Sequence, residues 1–330
     1  MDRIEYQIIS FLSKGTASPW EIIANIDASL PEFYKKLNKL KGEDIIEIND
    51  GKLKLTQKGK KFAEKWIDLK CNACDGTGYK FFCGIEKEYK KIMKERPPAF
   101  EKYDQGYMGV GDVLRRISFI YERGDLKGKI FVIGDDDFLS IACGLTFIPK
   151  KVVAIDIDER IVEFINRIAN EYSLSVEAFI QDIRKENIEF FKKFDVFVTD
   201  PVETLPGIKL FLSRGAYSLK RNGAGYFGLT TLEASMKKWY EIQKMLHEMG
   251  FVITDIRRKF NTYPAEKKNF SSYQNKLPIF KKLKLRMDCN WYKSSLYRIE
   301  AVKNIKPLIK GDVNLGKELY IDDESWATPR

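Results

Sequence analysis

The stretch that most constrains this chain is residues 129–137, Lys-Ile-Phe-Val-Ile-Gly-Asp-Asp-Asp, an apolar run that ends in three consecutive carboxylates. Ile130, Phe131, Val132 and Ile133 form a short continuous β-prone run, the pattern of a strand covered on both faces in a parallel sheet. Gly134 lets the backbone turn sharply toward whatever sits above the strand's carboxyl end. The pattern recurs three times downstream: residues 151–158 reach Asp156 and Asp158, residues 176–182 reach Gln181 and Asp182, and residues 194–200 end at Asp200. In a doubly wound sheet ligands bind beyond the carboxyl ends of the strands, so these acids should converge on one crevice. An Asp after a strand is also an ordinary helix cap, which is the simpler account of any one of them. Three in a row within a fourfold pattern point instead to a cationic ligand, because unpaired buried acids repel and stay protonated.

Alternating strands and helices surround this run, the pattern of a parallel sheet with right-handed crossovers. Helices are expected over residues 110–123, 140–144, 159–172, 208–219 and 235–249, a fifth strand over 225–230 and a sixth over 251–256. Pro201, Pro206 and Gly207 predict a stiff loop after Asp200. Residues 257–263 with 283–291 and 294–300 could close the sheet as an antiparallel hairpin. Ahead of the sheet, the 103–107 run Tyr-Asp-Gln-Gly-Tyr mixes aromatic, acidic and amide groups beside a glycine, which suits a loop folding over a bound small molecule.

Residues from about Glu5 to Trp66 read as a winged helix. Ile4, Ile8, Ile9 and Leu12 have helical spacing, Ser18-Pro19 and Ser29-Leu30-Pro31 open two further helices, and Asn49-Asp50-Gly51 joins two short strands. Lys35, Lys36, Lys39 and Lys41 on the third helix allow a DNA-binding reading; a dimerisation or lid module with a solvated basic face fits an enzyme chain better. Cys71 and Cys74, with Cys83 beyond, resemble half of a zinc ribbon, a degenerate or shared zinc site lacking an evident fourth ligand.

The expected architecture is therefore α/β: a Rossmann-like, methyltransferase-type doubly wound sheet with an N-terminal winged-helix domain. Residues 1–68 form the winged helix, 69–100 a Cys-containing linker, 101–310 the catalytic domain and 311–330 an acidic tail, either disordered or folded back over the site. A net charge of +10 invites nucleic acid as a partner, yet abundant Lys, Glu and Ile also fit a thermophile's surface. No apolar run is long enough to span a bilayer, the first residues lack a secretion signal, and five cysteines suit a reducing compartment. A cytoplasmic homodimer is expected, with no membrane association and no requirement for nucleic acid.

In a methyltransferase-like sheet the first loop normally offers glycines to the amino-acid end of S-adenosylmethionine; here Asp135, Asp136 and Asp137 occupy that turn. Such a loop would repel the cofactor's carboxylate and accept the decarboxylated form, which keeps the sulfonium and amine. By position, Asp156 or Asp158 would bind the ribose hydroxyls and Gln181 and Asp182 would face the adenine. The motifs Gly134-Asp135-Asp136-Asp137-Phe138, Asp156-Ile157-Asp158 and Asp200-Pro201-Val202-Glu203-Thr204, behind a winged helix and a Cys-x-x-Cys linker, resemble the archaeal and bacterial branched-chain polyamine synthases. That resemblance implies transfer of an aminopropyl group from decarboxylated S-adenosylmethionine, a co-substrate and not a tightly bound cofactor, to the secondary amine of spermidine. Asp135, Asp136 and Asp137 would then anchor ammonium groups and accept a proton, with Asp137 nearest the attacking nitrogen. Asp200 and Glu203 would hold the second ammonium, and Tyr103, Asp104, Gln105 and Tyr107 would close over the substrates. The alternatives are an S-adenosylmethionine-dependent nucleic-acid amino-methyltransferase, prompted by Asp200-Pro201, and a winged-helix regulator sensing a polyamine or adenosyl metabolite.

Overall fold

Three helices open the chain: α1 (Arg3–Leu12), α2 (Pro19–Asn25) and α3 (Leu30–Gly42). Each starts on a reciprocal capping box, Asp2 with Glu5, Ser18 with Glu21 and Ser29 with Glu32. A two-stranded antiparallel hairpin follows, β1 (Ile46–Asn49) and β2 (Lys52–Leu55), turning through Asp50 and Gly51, both at positive φ. After the short α4 (Gln57–Lys60), the next described helix is α5 (Glu86–Ile92). The structure is a computed structural model describing residues 1–26, 28–63, 78, 84–266, 269 and 274–329. Cys71, Cys74 and Cys83 lie outside the described residues.

The remaining elements build one seven-stranded mixed sheet. Its strands are β3 (Lys129–Ile133), β4 (Lys151–Asp156), β5 (Val176–Ile180), β6 (Phe194–Thr199), β7 (Leu219–Leu229), β8 (Phe251–Thr262) and β9 (Lys293–Ala301). They lie in the order β5-β4-β3-β6-β7-β9-β8, with the first five parallel and β9 antiparallel to both neighbours. Alternation along β3 shows why both faces are covered. Ile130 and Val132 enter the core shared with α6 (Val110–Glu122), α7 (Leu139–Leu145) and α8 (Glu159–Glu171), whereas Phe131 and Ile133 enter the core beneath α9 (Leu205–Ser218) and α10 (Met236–Met249). The Rossmann-like α/β reading therefore holds at the level of the sheet.

Three expectations change. Residues 205–207 belong to α9 and not to the preceding loop, because Thr204 Oγ1 accepts the Gly207 N–H at 3.0 Å and Pro206 sits in the first turn, where its missing donor costs nothing. The fifth and sixth strands are longer than expected, and the continuation of β8 to Thr262 pairs with β9, as the hairpin reading required. Residues 283–291 are not a strand: α11 (Pro278–Leu283) precedes an irregular segment held by the N-terminal helices. There Trp20 Nε1 donates to Leu285 O at 3.3 Å, Ser18 Oγ donates to Asp288 at 2.8 Å, and the Trp20 and Trp291 rings lie 4.9 Å apart. The acidic C-terminal segment folds back over the sheet's carboxyl edge: Glu324 accepts from Ser235 N at 2.6 Å, and Lys238 on α10 pairs with Asp322 at 2.8 Å.

Candidate active site

The strand order reverses at β3, with β4 on one side and β6 on the other, and the loops beyond these carboxyl ends enclose a cleft. Its walls bound ≈ 1210 Å³, the open mouth included. Eight carboxyl groups line it: Asp104, Asp136, Asp137, Asp156, Asp182, Asp200, Glu203 and Glu233. Ile133, Ile155, Ile183 and Phe211 supply apolar wall between them.

The three consecutive acids separate by direction. Gly134, at φ +70°, turns the chain and donates to Ile155 O at 2.9 Å. Asp135 then points inward: its carboxylate accepts the N–H groups of Leu139 at 2.7 Å and Ser140 at 3.2 Å, capping α7, and it is not among the cleft-lining residues. Asp136 and Asp137 face the cleft and are stitched to the 103–108 loop. Gly106 N donates to Asp136 Oδ2 at 3.1 Å and Met108 N to Asp137 Oδ1 at 2.5 Å, while the Tyr89 hydroxyl donates to the Asp137 carbonyl at 2.8 Å.

The next two strand ends divide in the same way. Asp156 lines the cleft while accepting from Asp135 N and Asp158 N, each at 2.9 Å, so one carboxylate ties two loops together. Asp158 lies outside the lining set; it caps α8 and binds Arg160 and Gln105 Nε2. Gln181 and Asp182 line the cleft beyond β5, with Asp182 also paired to Arg184 at 2.7 Å. Tyr103, Asp104 and Gln105 line it from the covering loop. Tyr107 does not; its ring is buried beneath the Arg96 guanidinium, 3.3 Å from the ring centroid.

Beyond β6, Asp200 takes a two-pronged ion pair from Arg116 Nη1 and Nη2 at 2.6 and 2.8 Å. Glu203 accepts from Thr230 N at 2.7 Å through Oε1, and its buried Oε2 has no hydrogen-bond partner among the described residues. Space for the Asp200 pair depends on Gly228, where a Cβ would stand 1.8 Å from Asp200 Oδ1. Gly228→Ala is accordingly expected to destabilise the protein by about 1–3 kcal/mol, measured as a lowered midpoint of urea unfolding.

Burial first, and then the crowding of like charges, sets the electrostatics. Burial, then the Asp156 and Asp200 carboxylates, push Asp136 from 3.8 up to about 7. Burial, then Asp136 and Asp200, hold Asp137 well above the carboxylate range. Asp104 and Glu203 are raised by burial and then by Glu233, and Glu233 itself is raised by burial to about 7. Asp158 moves the other way, because Arg160 and Gln105 outweigh its burial. A cleft holding this many acids without a cation for each is built to receive positive charge. Among the described residues no group of three or more His, Cys, Asp or Glu could hold a metal ion.

Glu233, Tyr263 and Tyr292, which the sequence reading missed, also line the cleft, as do Ala327 and Thr328 of the tail, in line with its folded-back alternative. Glu233 had a usable signal, since it follows β7 as the other acids follow their strands. It accepts from Ala327 N at 2.7 Å and from the Tyr292 hydroxyl at 3.4 Å, and Thr328 Oγ1 donates to Asp104 at 3.3 Å. The two tyrosines, ring centroids 5.2 Å apart, come from the end of β8 and the approach to β9 and carry no local signature.

Comparison with known proteins places this cleft among relatives. Residues 84–327 match the family model for the branched-chain polyamine synthase A C-terminal domain. The chain is 36% identical to the N(4)-bis(aminopropyl)spermidine synthase of Thermococcus kodakarensis, covering 96% of this chain and 92% of that protein. The enzyme of the same name from Methanocaldococcus jannaschii is also 36% identical, covering 94% and 90%. In three dimensions the chain is similar to the branched-chain polyamine synthase from Thermus thermophilus, solved in complex with N4-aminopropylspermidine and 5'-methylthioadenosine. The TM-score is 0.86 at 29% identity, over 98% of this chain and 92% of that one. Matched in sequence and in three dimensions over nearly its whole length, the chain belongs to the branched-chain polyamine synthase family.

Proposed function

We propose that this protein is an aminopropyltransferase that moves the aminopropyl group of decarboxylated S-adenosylmethionine to the secondary amine of spermidine, giving branched-chain polyamine and methylthioadenosine. The observation that carries this reading is the cleft of eight carboxyl groups at the nucleotide-binding edge of the sheet. It would oppose a carboxylate-bearing donor and favour a sulfonium amine beside a polycation. The Thermus relative, with an aminopropylated polyamine and methylthioadenosine bound, supports the same assignment.

The chemistry follows from the side chains. The secondary nitrogen attacks the propyl carbon beside sulfur, the C–S bond breaks with its electrons on sulfur, and neutral methylthioadenosine leaves. The nitrogen must have shed its proton to be a nucleophile. Asp137 would take it, with Asp136 beside it, because burial and then neighbouring carboxylates raise both acids toward the range of a usable base. Asp200, Glu203, Glu233 and Asp104 would hold the flanking ammonium groups. Gln181 and Asp182, with Ile155 and Ile183, would face the adenine, and Asp156 the ribose. Asp135 and Asp158 would act indirectly, by fixing α7 and α8 beneath the site.

The three helices and hairpin at the N-terminus fit a winged-helix module turned inward, not one offered to DNA. Leu30 N at the start of α3 donates to Leu232 O at 2.7 Å, next to Glu233, and Lys36 and Lys39 are paired with Glu5 at 3.0 and 2.8 Å. These contacts leave the nucleic-acid methyltransferase with less support. No helix among the described residues is long and apolar enough to cross a membrane, and a cytoplasmic homodimer remains part of this proposal.

Mass spectrometry of products after incubation with spermidine and decarboxylated S-adenosylmethionine, with S-adenosylmethionine in parallel, tests the proposal. A branched product formed only with the decarboxylated donor is expected. Methyl transfer from S-adenosylmethionine would favour the methyltransferase, and ligand binding without product the regulator.

A further inference from the structure

Arg116 stands behind the acid wall on α6, 1% exposed and outside the residues that line the cleft. Its fork grips both oxygens of Asp200, the geometry that best fixes a carboxylate in place and in its charged form. The third edge of the guanidinium is also held. Nε donates to Asn261 Oδ1 at 3.2 Å, and Asn261 Nδ2 donates to Ser294 Oγ at 2.9 Å, so β8 and β9 set its orientation. Gly228 on β7 leaves room for the pair, since a Cβ there would meet Asp200 Oδ1 at 1.8 Å and Arg116 Nη2 at 3.4 Å. One helix, the loop after β6 and three strands thus converge on a single ion pair.

Asp136 and Asp137 differ from Asp200 in this respect. Their carboxylates accept the backbone N–H groups of Gly106 and Met108 and form no ion pair among the described residues, although the charge of Arg116 also reaches Asp137 and the phenol of Tyr263 faces both Asp137 and Asp200. Acids this close would otherwise share protons between them, and an amine entering the cleft would meet a mixture of protonation states. A cation locked behind one of them removes that equivalence.

We propose, resting on the aminopropyltransferase reading, that Arg116 is a positioning residue that holds the Asp200 carboxylate in place as an anchor for an acceptor ammonium, apart from the proton acceptance assigned to Asp136 and Asp137. Arg116 touches neither substrate; it acts through Asp200. The proton that the nitrogen sheds before the nitrogen–carbon bond forms and the carbon–sulfur bond breaks then goes to the Asp136 and Asp137 pair, away from the anchor.

The test is the pH profile of kcat/KM for spermidine between pH 6 and 9, for the wild type and Arg116→Gln. In the variant the half-buried Asp200 stands beside like charges with no counter-ion, which favours its neutral form as pH falls. Arg116→Gln is therefore expected to lose about 30-fold at pH 6.5 but only about 3-fold at pH 9, mostly in KM, with the acidic limb steepening from one proton toward two. Loss by the same factor at every pH would mean that Arg116 is merely structural and would overturn the inference. Should Arg116→Gln fail to fold, Arg116→Lys takes its place. A single ammonium keeps the charge but cannot fork, so a smaller steepening in the same direction is expected, and a parallel profile overturns the inference equally. A wild type that transfers no aminopropyl group would overturn the parent reading and this inference together, whereas an active wild type with parallel profiles overturns this inference alone.

Discussion

Asp137→Asn is expected to slow aminopropyl transfer by about 10²- to 10⁴-fold while leaving the fold intact, because it removes a proton acceptor without removing a hydrogen-bond acceptor. The amide oxygen of Asn can still receive the Met108 N–H, and the main-chain carbonyl at this position still receives the Tyr89 hydroxyl. Single-turnover rates and a far-ultraviolet circular dichroism spectrum check the two halves of this expectation. The wild type should also lose activity as pH falls through neutrality, since Asp136, raised to about 7, takes up a proton there and Asp137 is raised in the same direction by burial and then by Asp136. Bound ammonium and sulfonium charges pull both values down, so the limb seen in kcat should lie below the limb seen in kcat/KM. Near-normal turnover by Asp137→Asn would remove this residue from the proton-transfer step.

Asp136→Asn is expected to make the unliganded protein more stable at pH 8 by up to about 4 kcal/mol, and to change stability little at pH 4. Asp136 rises from 3.8 to about 7 on folding. Between those pH values the folded protein holds a proton that the unfolded chain has released. Stability therefore falls as pH rises through this window, and the whole cost is present above it. An amide has no charge to bury, and it can still accept the Gly106 N–H. Urea unfolding without ligands at the two pH values measures the difference; an equal effect at both would show that burial of charge is not its origin. The same acids that destabilise the empty cleft are those proposed to hold the polycation, so spermidine should recover much of this stability at pH 8.

The strands and their terminal acids were legible in the sequence because both are local properties. A continuous apolar run marks a doubly covered strand, and Ile130 to Ile133 divide between the two cores as that pattern requires. The starts of α2 and α3, at Ser18 and Ser29, were equally local. Less legible was the segment over residues 283–291, whose alternation suggested a strand but whose partners, Trp20 and Ser18, lie about 270 positions earlier in the chain. Its backbone is engaged by the N-terminal helices, and a strand propensity is overridden wherever packing offers such a competing partner.

What the sequence by itself determined is the sheet, the order in which acids leave it and hence the anionic character of the cleft. Only the tertiary structure decided which acids face inward to helix amides and which face a ligand. Asp135 and Asp136 are adjacent in the chain, yet one caps α7 and the other lines the cleft, because consecutive side chains in a tight turn diverge and only the following helix provides the waiting N–H groups. The pairing of Arg116 with Asp200 spans 84 positions, and the contact of Ala327 with Glu233 spans 94. Hydrophobic period and capping chemistry act over a turn or a strand, whereas ion pairs and cleft walls depend on how whole elements pack, a distance in space that no local pattern encodes.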